Sequence, residues 1–225
     1  MQNKILPSLL MLTTITTALK PTEITLQPHE QWWTENVETK MSLFHGWLGA
    51  ENALSRVAVR KYIFEKKYTS LLDIPCGLCD DFFGYKKDGI TIEYYGVDIT
   101  PFLVEKAKKL GINAIQGSIE KIPYPDSFVN VCYSRHILEH LEYYEKAINE
   151  LIRIAEKEVI VVFFLPFAEH GDQIKIKTVD SKPIYHNSYD KEKLTQYILA
   201  NKKVANIVWQ NLKTEWILHI NLITH

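Results

Sequence analysis

Short apolar runs alternate with amphipathic helical segments through the middle of the chain, and this alternation limits the fold more than any other feature. The runs that predict strands are 70–74, 92–98, 113–116, 128–134 and 158–165. The segments that predict helices are 50–67, 101–110 and 141–155, and 80–85 predicts a short helix or a turn. Strands and helices that alternate at this spacing form a mostly parallel sheet covered on both faces. The sequence therefore predicts an α/β protein with a doubly wound sheet.

The C-terminal part of the chain follows a different pattern. A helix is predicted over 190–200, followed by two strand-like runs at 203–210 and 214–223. Only three residues, 211–213, separate these runs, and so short a link cannot cross over a sheet. The two runs therefore predict an antiparallel hairpin that ends the sheet. A nicotinamide-binding domain is expected to continue parallel, so the hairpin argues against a nicotinamide oxidoreductase.

The N-terminal residues 1–48 read as an extension that precedes one domain, 49–225. Within it, 5–19 is largely apolar but too short and too polar to span a membrane. That stretch fits a weak signal peptide, a poorly ordered extension or a first helix. Further along lie four aromatic residues, Trp32, Trp33, Phe44 and Trp47. The three tryptophans would either cover a cleft as a lid or pack against the sheet edge.

The composition is that of an ordinary globular protein. Apolar residues make up 46% of the 225 residues, charged residues make up 24%, and the formal net charge is -1. The chain has no excess of basic residues that would indicate a nucleic-acid partner. The three cysteines are an odd number without repeated spacing, which is no disulfide framework and fits a reducing, cytoplasmic setting.

Two segments carry polar residues at the ends of predicted strands. Asp73 ends the first strand, and Gly77 lies in the loop that follows, where backbone N–H groups can approach a ligand. Asp98 ends the second strand about twenty residues later, where a carboxylate can accept hydrogen bonds from both ribose hydroxyls. The structural alternative for Asp98 is a helix cap before Thr100.

Two short motifs match metal or redox sites by spacing alone. Cys76 and Cys79 have the spacing of a zinc or redox pair, but no second pair accompanies them. His136, Glu139 and His140 match a zinc peptidase motif, yet they directly follow an apolar strand. Glu139 and His140 are better explained as residues that anchor the following helix. The sequence predicts no metal site.

Four segments together resemble a known family. They are 71–79, 96–98, 117–128 and 132–141, and in this order they resemble class I S-adenosyl-L-methionine-dependent methyltransferases, especially the group that includes the ubiquinone and menaquinone biosynthesis enzymes. The resemblance covers about 68–165. It implies a Rossmann-like, seven-stranded sheet, S-adenosylmethionine as methyl donor and a small-molecule acceptor. A non-catalytic protein of the same fold that only binds the cosubstrate remains the alternative.

The resemblance also assigns residues of this chain to the cosubstrate. The loop around the methionine part matches Asp73, Pro75, Cys76 and Gly77, and Ser134 matches a position at the methionine end. Asp98 matches the ribose-binding acid, and the adenine lies beside positions that match Ile99, Ser118 and Ile119. If the acceptor is a hydroxyl or an acidic carbon, His136 is the candidate base, and the structural alternative is a histidine with satisfied hydrogen bonds at the rim of the cleft.

This chain departs from the family at two of the matched positions. Many relatives have aspartate where this chain has Ser118, so a hydroxyl or the backbone of Ile119 would have to contact the adenine amino group. Many have glycine where this chain has Cys79.

Overall fold

The computed structural model of the chain describes residues 24–35, 37 and 51–224. The signal-like stretch 5–19 and the aromatic residues Phe44 and Trp47 lie outside these described residues. No helix within the described part of the chain is long and apolar enough to cross a membrane.

A seven-stranded sheet forms the centre of the fold. Its strands lie in the order β3-β2-β1-β4-β5-β9-β8, and all neighbours from β3 to β5 are parallel. The strands are β1 (Ser70–Asp73), β2 (Glu93–Asp98), β3 (Asn113–Gln116), β4 (Val129–Arg135), β5 (Ala155–Phe163), β8 (Val204–Asn211) and β9 (Trp216–Leu222). The last two strands form the predicted antiparallel hairpin, and β9 pairs antiparallel with β5. The predicted fold class is confirmed.

Helices cover both faces of this sheet. They are α1 (Pro28–Thr34), α2 (Leu54–Glu65), α3 (Asp80–Lys87), α4 (Pro101–Lys109), α5 (Glu145–Ile154) and α6 (Lys191–Leu199). On one face α5 and α6 pack against a core that contains Val159 and Val161 of β5. On the other face α2, α3 and α4 pack against a second core that contains the alternating residues Ile160 and Val162. The second half of β5, Val159 to Phe163, is therefore buried on both sides, which is why its sequence is a continuous apolar run.

The boundary between the predicted helix 141–155 and the strand after it is wrong. A short 3-10 helix, Leu138–His140, comes first, α5 begins only at Glu145, and Ala155 already belongs to β5. Leu141 and Tyr144 are buried like helix residues, so the apolar periodicity extends ahead of the helix. Glu156, which falls between the predicted helix and the predicted strand, lies in β5 and accepts a hydrogen bond from Asn130.

A small second sheet was not predicted. Strands β6 (Ile176–Val179) and β7 (Lys182–Tyr185) pair antiparallel between β5 and α6. Asp180 and Ser181 join them with positive φ angles of 50° and 62°, as a two-residue hairpin turn requires. The residues of β6 are exposed on both faces, so the segment lacks the apolar alternation that identifies a half-buried strand.

Candidate active site

A cavity of about 440 Å³ lies at the carboxyl ends of the central strands. From β1 the chain winds outward to β2 and β3 on one side, and β4 and β5 lie on the other. Ligands of doubly wound sheets bind at such a switch point, and the cavity has the usual size of a small-molecule site. Its lining includes His29, Glu30, Trp33, Ile74, Pro75, Gly77, Asp98, Ile99, Thr100, Leu103, Gly117, Ile119, Arg135, His136, Ile137, His140, Leu141, Phe164 and His186.

The turn after β1 is tied directly to the end of β2. The Gly77 N–H donates to Oδ2 of Asp98 at 2.9 Å, and the Thr100 N–H donates to Oδ1 at 2.9 Å. Gly77 has a φ of 53°, which glycine adopts without steric cost. Burial raises the pKa of Asp98, while these backbone donors oppose the shift. Asp98 lines the cavity, so its carboxylate can also accept hydrogen bonds from a ligand bound there.

The two cysteines of this turn are buried free thiols. The Cys76 N–H donates to the carbonyl of Val97, and Cys79 precedes the first residue of α3 with a φ of 60°. That left-handed conformation explains why glycine suits this position, which cysteine occupies here. A hydrogen bond with Cys79 and burial raise the pKa of the Cys76 thiol well above its ordinary value, which disfavours the reactive thiolate.

Four of the predicted cosubstrate residues are not part of the cavity lining, namely Asp73, Cys76, Ser118 and Ser134. Asp73 is 2% exposed and accepts a hydrogen bond from the Tyr94 hydroxyl. Burial raises the pKa of Asp73 to about 7, and the Tyr94 hydrogen bond partly opposes this. Ser134 is fully buried within β4, and its hydroxyl has no hydrogen-bond partner in the described part of the chain. Their contacts with a cosubstrate stay predictions.

The cavity continues from Asp98 past the end of β3. Asp98 pairs with Gln116 in the register of β2 and β3, and the next two residues, Gly117 and Ser118, lead into the loop. Ile99, Gly117 and Ile119 line this part of the cavity. Ser118 is not in the lining, but its hydroxyl donates to Glu30 at 2.5 Å and accepts from the Glu120 N–H at 3.1 Å.

At the opposite end of the cavity, His136 is held by a buried carboxylate from the C-terminal hairpin. Its Nε2 lies 2.7 Å from Oε1 of Glu215, which also accepts from Arg135 at 2.7 Å and from Ser55 at 3.0 Å. Burial raises the pKa of Glu215, but the hydrogen bond from His136 and the charge of Arg135 outweigh it and lower the pKa to about 2. Glu215 is therefore ionised at neutral pH. Burial lowers the pKa of His136, and its bond to Glu215 partly opposes this.

The other residues of the zinc-like motif have structural partners. Nδ1 of His140 lies 2.8 Å from the carbonyl oxygen of Tyr185, and Oε1 of Glu139 accepts from the Phe164 N–H at 2.8 Å. His136 precedes the short 3-10 helix instead of sharing a helix face with His140. Over residues 24–35, 37 and 51–224, no three histidine, cysteine, aspartate or glutamate side chains are grouped as metal ligands.

Helix α1 places N-terminal side chains in the cavity. His29, Glu30 and Trp33 line it, and the Trp33 carbonyl accepts from the Thr100 hydroxyl at 3.1 Å. The sequence identified Trp33 as a candidate cover but gave no indication of Glu30. Glu215 was also missed, since an isolated glutamate in a hairpin link has no local signal. Both glutamates form hydrogen bonds with residues that lie more than seventy positions away in the chain.

Comparisons with known proteins agree with this geometry. Residues 72–163 match the family model described as "Methyltransferase domain". Ajmaline N-methyltransferase of Rauvolfia serpentina is 32% identical over 108 residues, which cover 44% of this chain and 36% of that protein. An uncharacterized methyltransferase of Schizosaccharomyces pombe is 28% identical over 144 residues, which cover 58% of this chain and 50% of that protein. The chain thus matches half or less of the length of these relatives.

Solved structures share the fold at low sequence identity. The 1,6-didemethyltoxoflavin-N1-methyltransferase of Burkholderia thailandensis has a TM-score of 0.62 at 12% identity, and the match covers 91% of this chain and 93% of that one. Magnesium protoporphyrin IX methyltransferase of Synechocystis has a TM-score of 0.61 at 10% identity, with 86% and 98% covered. Both were solved with S-adenosylhomocysteine bound.

Proposed function

Because residues 72–163 are a domain of the class I methyltransferase family, we propose that the chain is an S-adenosylmethionine-dependent methyltransferase that acts on a small-molecule acceptor. The acceptor would occupy the histidine-lined end of the cavity, around His136, His140 and His186. The two neighbours solved with S-adenosylhomocysteine support the choice of cosubstrate.

The observation that carries this proposal is the contact between Gly77 and Asp98. A ribose diol can donate to the carboxylate of Asp98, which lines the cavity, while the amino-acid tail passes the Gly77 turn. Beyond Gly77 the backbone N–H groups of the turn lie near the start of α3. The partial positive charge at this end of the helix favours the carboxylate of the amino-acid tail. The donor set therefore fits an adenosyl amino acid.

The cosubstrate, when bound, would supply a methyl group on a sulfonium, whose neutral thioether is a good leaving group. The chain then has to hold the acceptor in line with that methyl group and exclude water. Trp33, Ile137 and Phe164 provide apolar surface for this purpose. His136, kept neutral by burial, is placed to take a proton from the acceptor.

The charge state of the histidines favours an uncharged acceptor. Burial lowers the pKa of His140 to about 4 and also lowers the pKa of His186. At neutral pH these rings act as neutral hydrogen-bonding groups rather than as counter-ions for an anion. We therefore infer an acceptor with a hydroxyl or amine nucleophile on a mainly apolar body. The N-methyltransferase name of the Rauvolfia relative supports testing amines first.

The N-terminal segment would act as a lid in this scheme. Helix α1 contributes His29, Glu30 and Trp33 to the lining, and Lys182 of the small hairpin forms an ion pair with Glu35 at its end. A lid built this way would have to move for ligands to enter. Buried free thiols support a reducing cytoplasmic location for such an enzyme.

Isothermal titration calorimetry with S-adenosylhomocysteine tests the proposal, with NADH and zinc as competing ligands. We expect saturable binding of S-adenosylhomocysteine alone, and then methyl transfer to members of a panel of amines, phenols and alcohols. Absence of S-adenosylhomocysteine binding would contradict the proposal. Binding without transfer to any acceptor would instead favour a non-catalytic protein of the same fold.

A further inference from the structure

The N-terminal helix places a buried carboxylate in the cavity beyond the ribose site. Glu30 is 5% exposed and lines the cavity, although it lies 88 residues before its partner Ser118 in the chain. Its Oε2 accepts from the Gln27 N–H at 2.8 Å, and its Oε1 accepts from the Ser118 hydroxyl at 2.5 Å. Both donors are neutral groups.

The position of Glu30 relative to Asp98 follows from the sheet. Asp98 ends β2, and Ser118 lies two residues beyond Gln116, its partner in β3. Neighbouring strands lie about 5 Å apart. Ser118, and the Glu30 carboxylate that is hydrogen-bonded to it, therefore lie one strand further along the same sheet edge than Asp98. Between them the lining is apolar, with Ile99, Leu103 and Ile119. A ribose held by Asp98 therefore directs its base into an apolar slot that ends at a carboxylate.

Ser118 cannot easily recognise the far edge of that base itself. Its single proton is donated to Glu30, and one of its two lone pairs accepts from the Glu120 N–H. Glu30, by contrast, uses one lone pair on each oxygen and retains the other two. A buried carboxylate with spare lone pairs and neutral donors gains from another N–H donor.

We propose that Glu30 is the residue of this chain that accepts a hydrogen bond from the exocyclic amine of adenine, so that the N-terminal helix selects the base of the cosubstrate. This inference rests on the proposed function. Ser118 acts through Glu30 as a positioning residue, since its hydroxyl fixes the carboxylate. Because Glu30 belongs to α1, binding of the base and closure of α1 over the cavity are coupled.

The test compares two ligands that differ only at this edge of the base. S-inosylhomocysteine carries a carbonyl oxygen in place of the adenine amine, and that oxygen would face the lone pairs of Glu30 instead of donating to them. Calorimetry should give at least about tenfold tighter binding of S-adenosylhomocysteine to the unaltered chain. The preference should fall below about threefold in Glu30→Gln, because an amide can turn either its oxygen or its nitrogen to the base.

Two further variants separate recognition from folding. Glutamine also supports the helix-capping arrangement, so Glu30→Gln is expected to keep α1 in place. Glu30→Ala combined with Ser118→Asp returns a carboxylate to the same place and should restore the adenine preference. Glu35→Gln, on the exposed end of the same helix, removes the ion pair with Lys182 and should keep the full preference.

The outcomes divide cleanly. An adenine preference that is unchanged in Glu30→Gln and in Glu30→Ala would overturn the inference while the proposed function stands. Equal binding of both ligands by the unaltered chain would overturn it as well. If the unaltered chain binds neither ligand, the proposed function and this inference fail together.

Discussion

The backbone N–H of Gly77 donates a 2.9 Å hydrogen bond to the carboxylate of Asp98, which joins the turn after β1 to the end of β2. One residue from the loop and one from the neighbouring strand thus share a single site at the sheet edge. The carboxylate is 3% exposed, so its remaining hydrogen-bonding capacity is directed into the cavity rather than to bulk water.

Asp98→Ala should raise the dissociation constant for S-adenosylhomocysteine about tenfold to a hundredfold, because charge-assisted hydrogen bonds to the ribose are lost. Calorimetry measures the change directly, and thermal unfolding of the ligand-free variant shows how much stability the lost bonds to Gly77 and Thr100 contribute. Asp98→Asn serves as the control that keeps the shape and one acceptor. Binding that is unchanged in a folded Asp98→Ala variant would contradict the ribose role.

Gly96→Ala should weaken binding by displacing the turn after β1. A Cβ at Gly96 would lie 3.0 Å from Sγ and 3.3 Å from Cβ of Cys76, which is too close without movement of the turn. We expect a loss of about 1–3 kcal/mol in the free energy of unfolding together with a higher dissociation constant. Urea unfolding and calorimetry provide the two measurements.

A double-mutant cycle with Cys76→Ala checks the cause of that loss. Removing Sγ should make the Gly96 substitution less harmful, with a coupling of about 0.5–3 kcal/mol. Strictly additive effects would show that the close approach of Gly96 and Cys76 is not what positions the turn.

The sequence predicted the sheet well because its signals are local. Strand β3 was predicted with its observed bounds, and β1, β2 and β4 within one or two residues, since each apolar run ends at a proline, glycine or polar residue. The hairpin β6–β7 was missed because β6 is exposed along its whole length and each strand has only four residues. Its Asp-Ser turn was the available signal.

The site was predicted only where its residues lie next to a strand end. Gly77, Asp98, Ile119 and His136 line the cavity as expected of residues that follow parallel strands. Glu30 and Glu215 reach it from segments far away in the chain, and no periodicity or short motif announces a contact of that kind. Such residues become visible only once the topology has brought the N-terminal helix and the C-terminal hairpin to the same edge.

Stability should depend on pH through the buried carboxyl of Asp73. Its pKa is raised to about 7 by burial, whereas an unfolded aspartate titrates near ~3.9. Between these two pKa values the folded chain keeps a proton on Asp73 that the unfolded chain has lost. Protonation of Asp73 therefore stabilises the folded state fully below the unfolded pKa, and this stabilisation is lost as the pH rises through about 7. Asp73→Asn should make the fall of the free energy of unfolding with rising pH less steep by up to about 1.4 kcal/mol per pH unit.

Urea unfolding at several pH values between 4.5 and 7.5 measures this slope. Asp180→Asn is the matched control, because Asp180 is exposed in the hairpin turn and asparagine accepts the same backbone conformation. A slope that is identical in Asp73→Asn and in the unaltered chain would show that Asp73 is ionised in the folded state across this range.

Glu215→Gln should lower the pKa of His136, because the carboxylate that stabilises the protonated ring across 2.7 Å is replaced by a neutral amide. NMR titration of the ring resonances measures this without an acceptor, and the nitrogen shifts show whether the neutral ring carries its proton on Nε2. Ser55→Ala removes a neutral donor to Glu215 and an acceptor of the Arg135 Nε–H but leaves the carboxylate in place, so it should disturb the titration less. A His136 titration that does not move in Glu215→Gln would mean that Glu215 does not tune the base, and that the hairpin contributes only shape to the acceptor end.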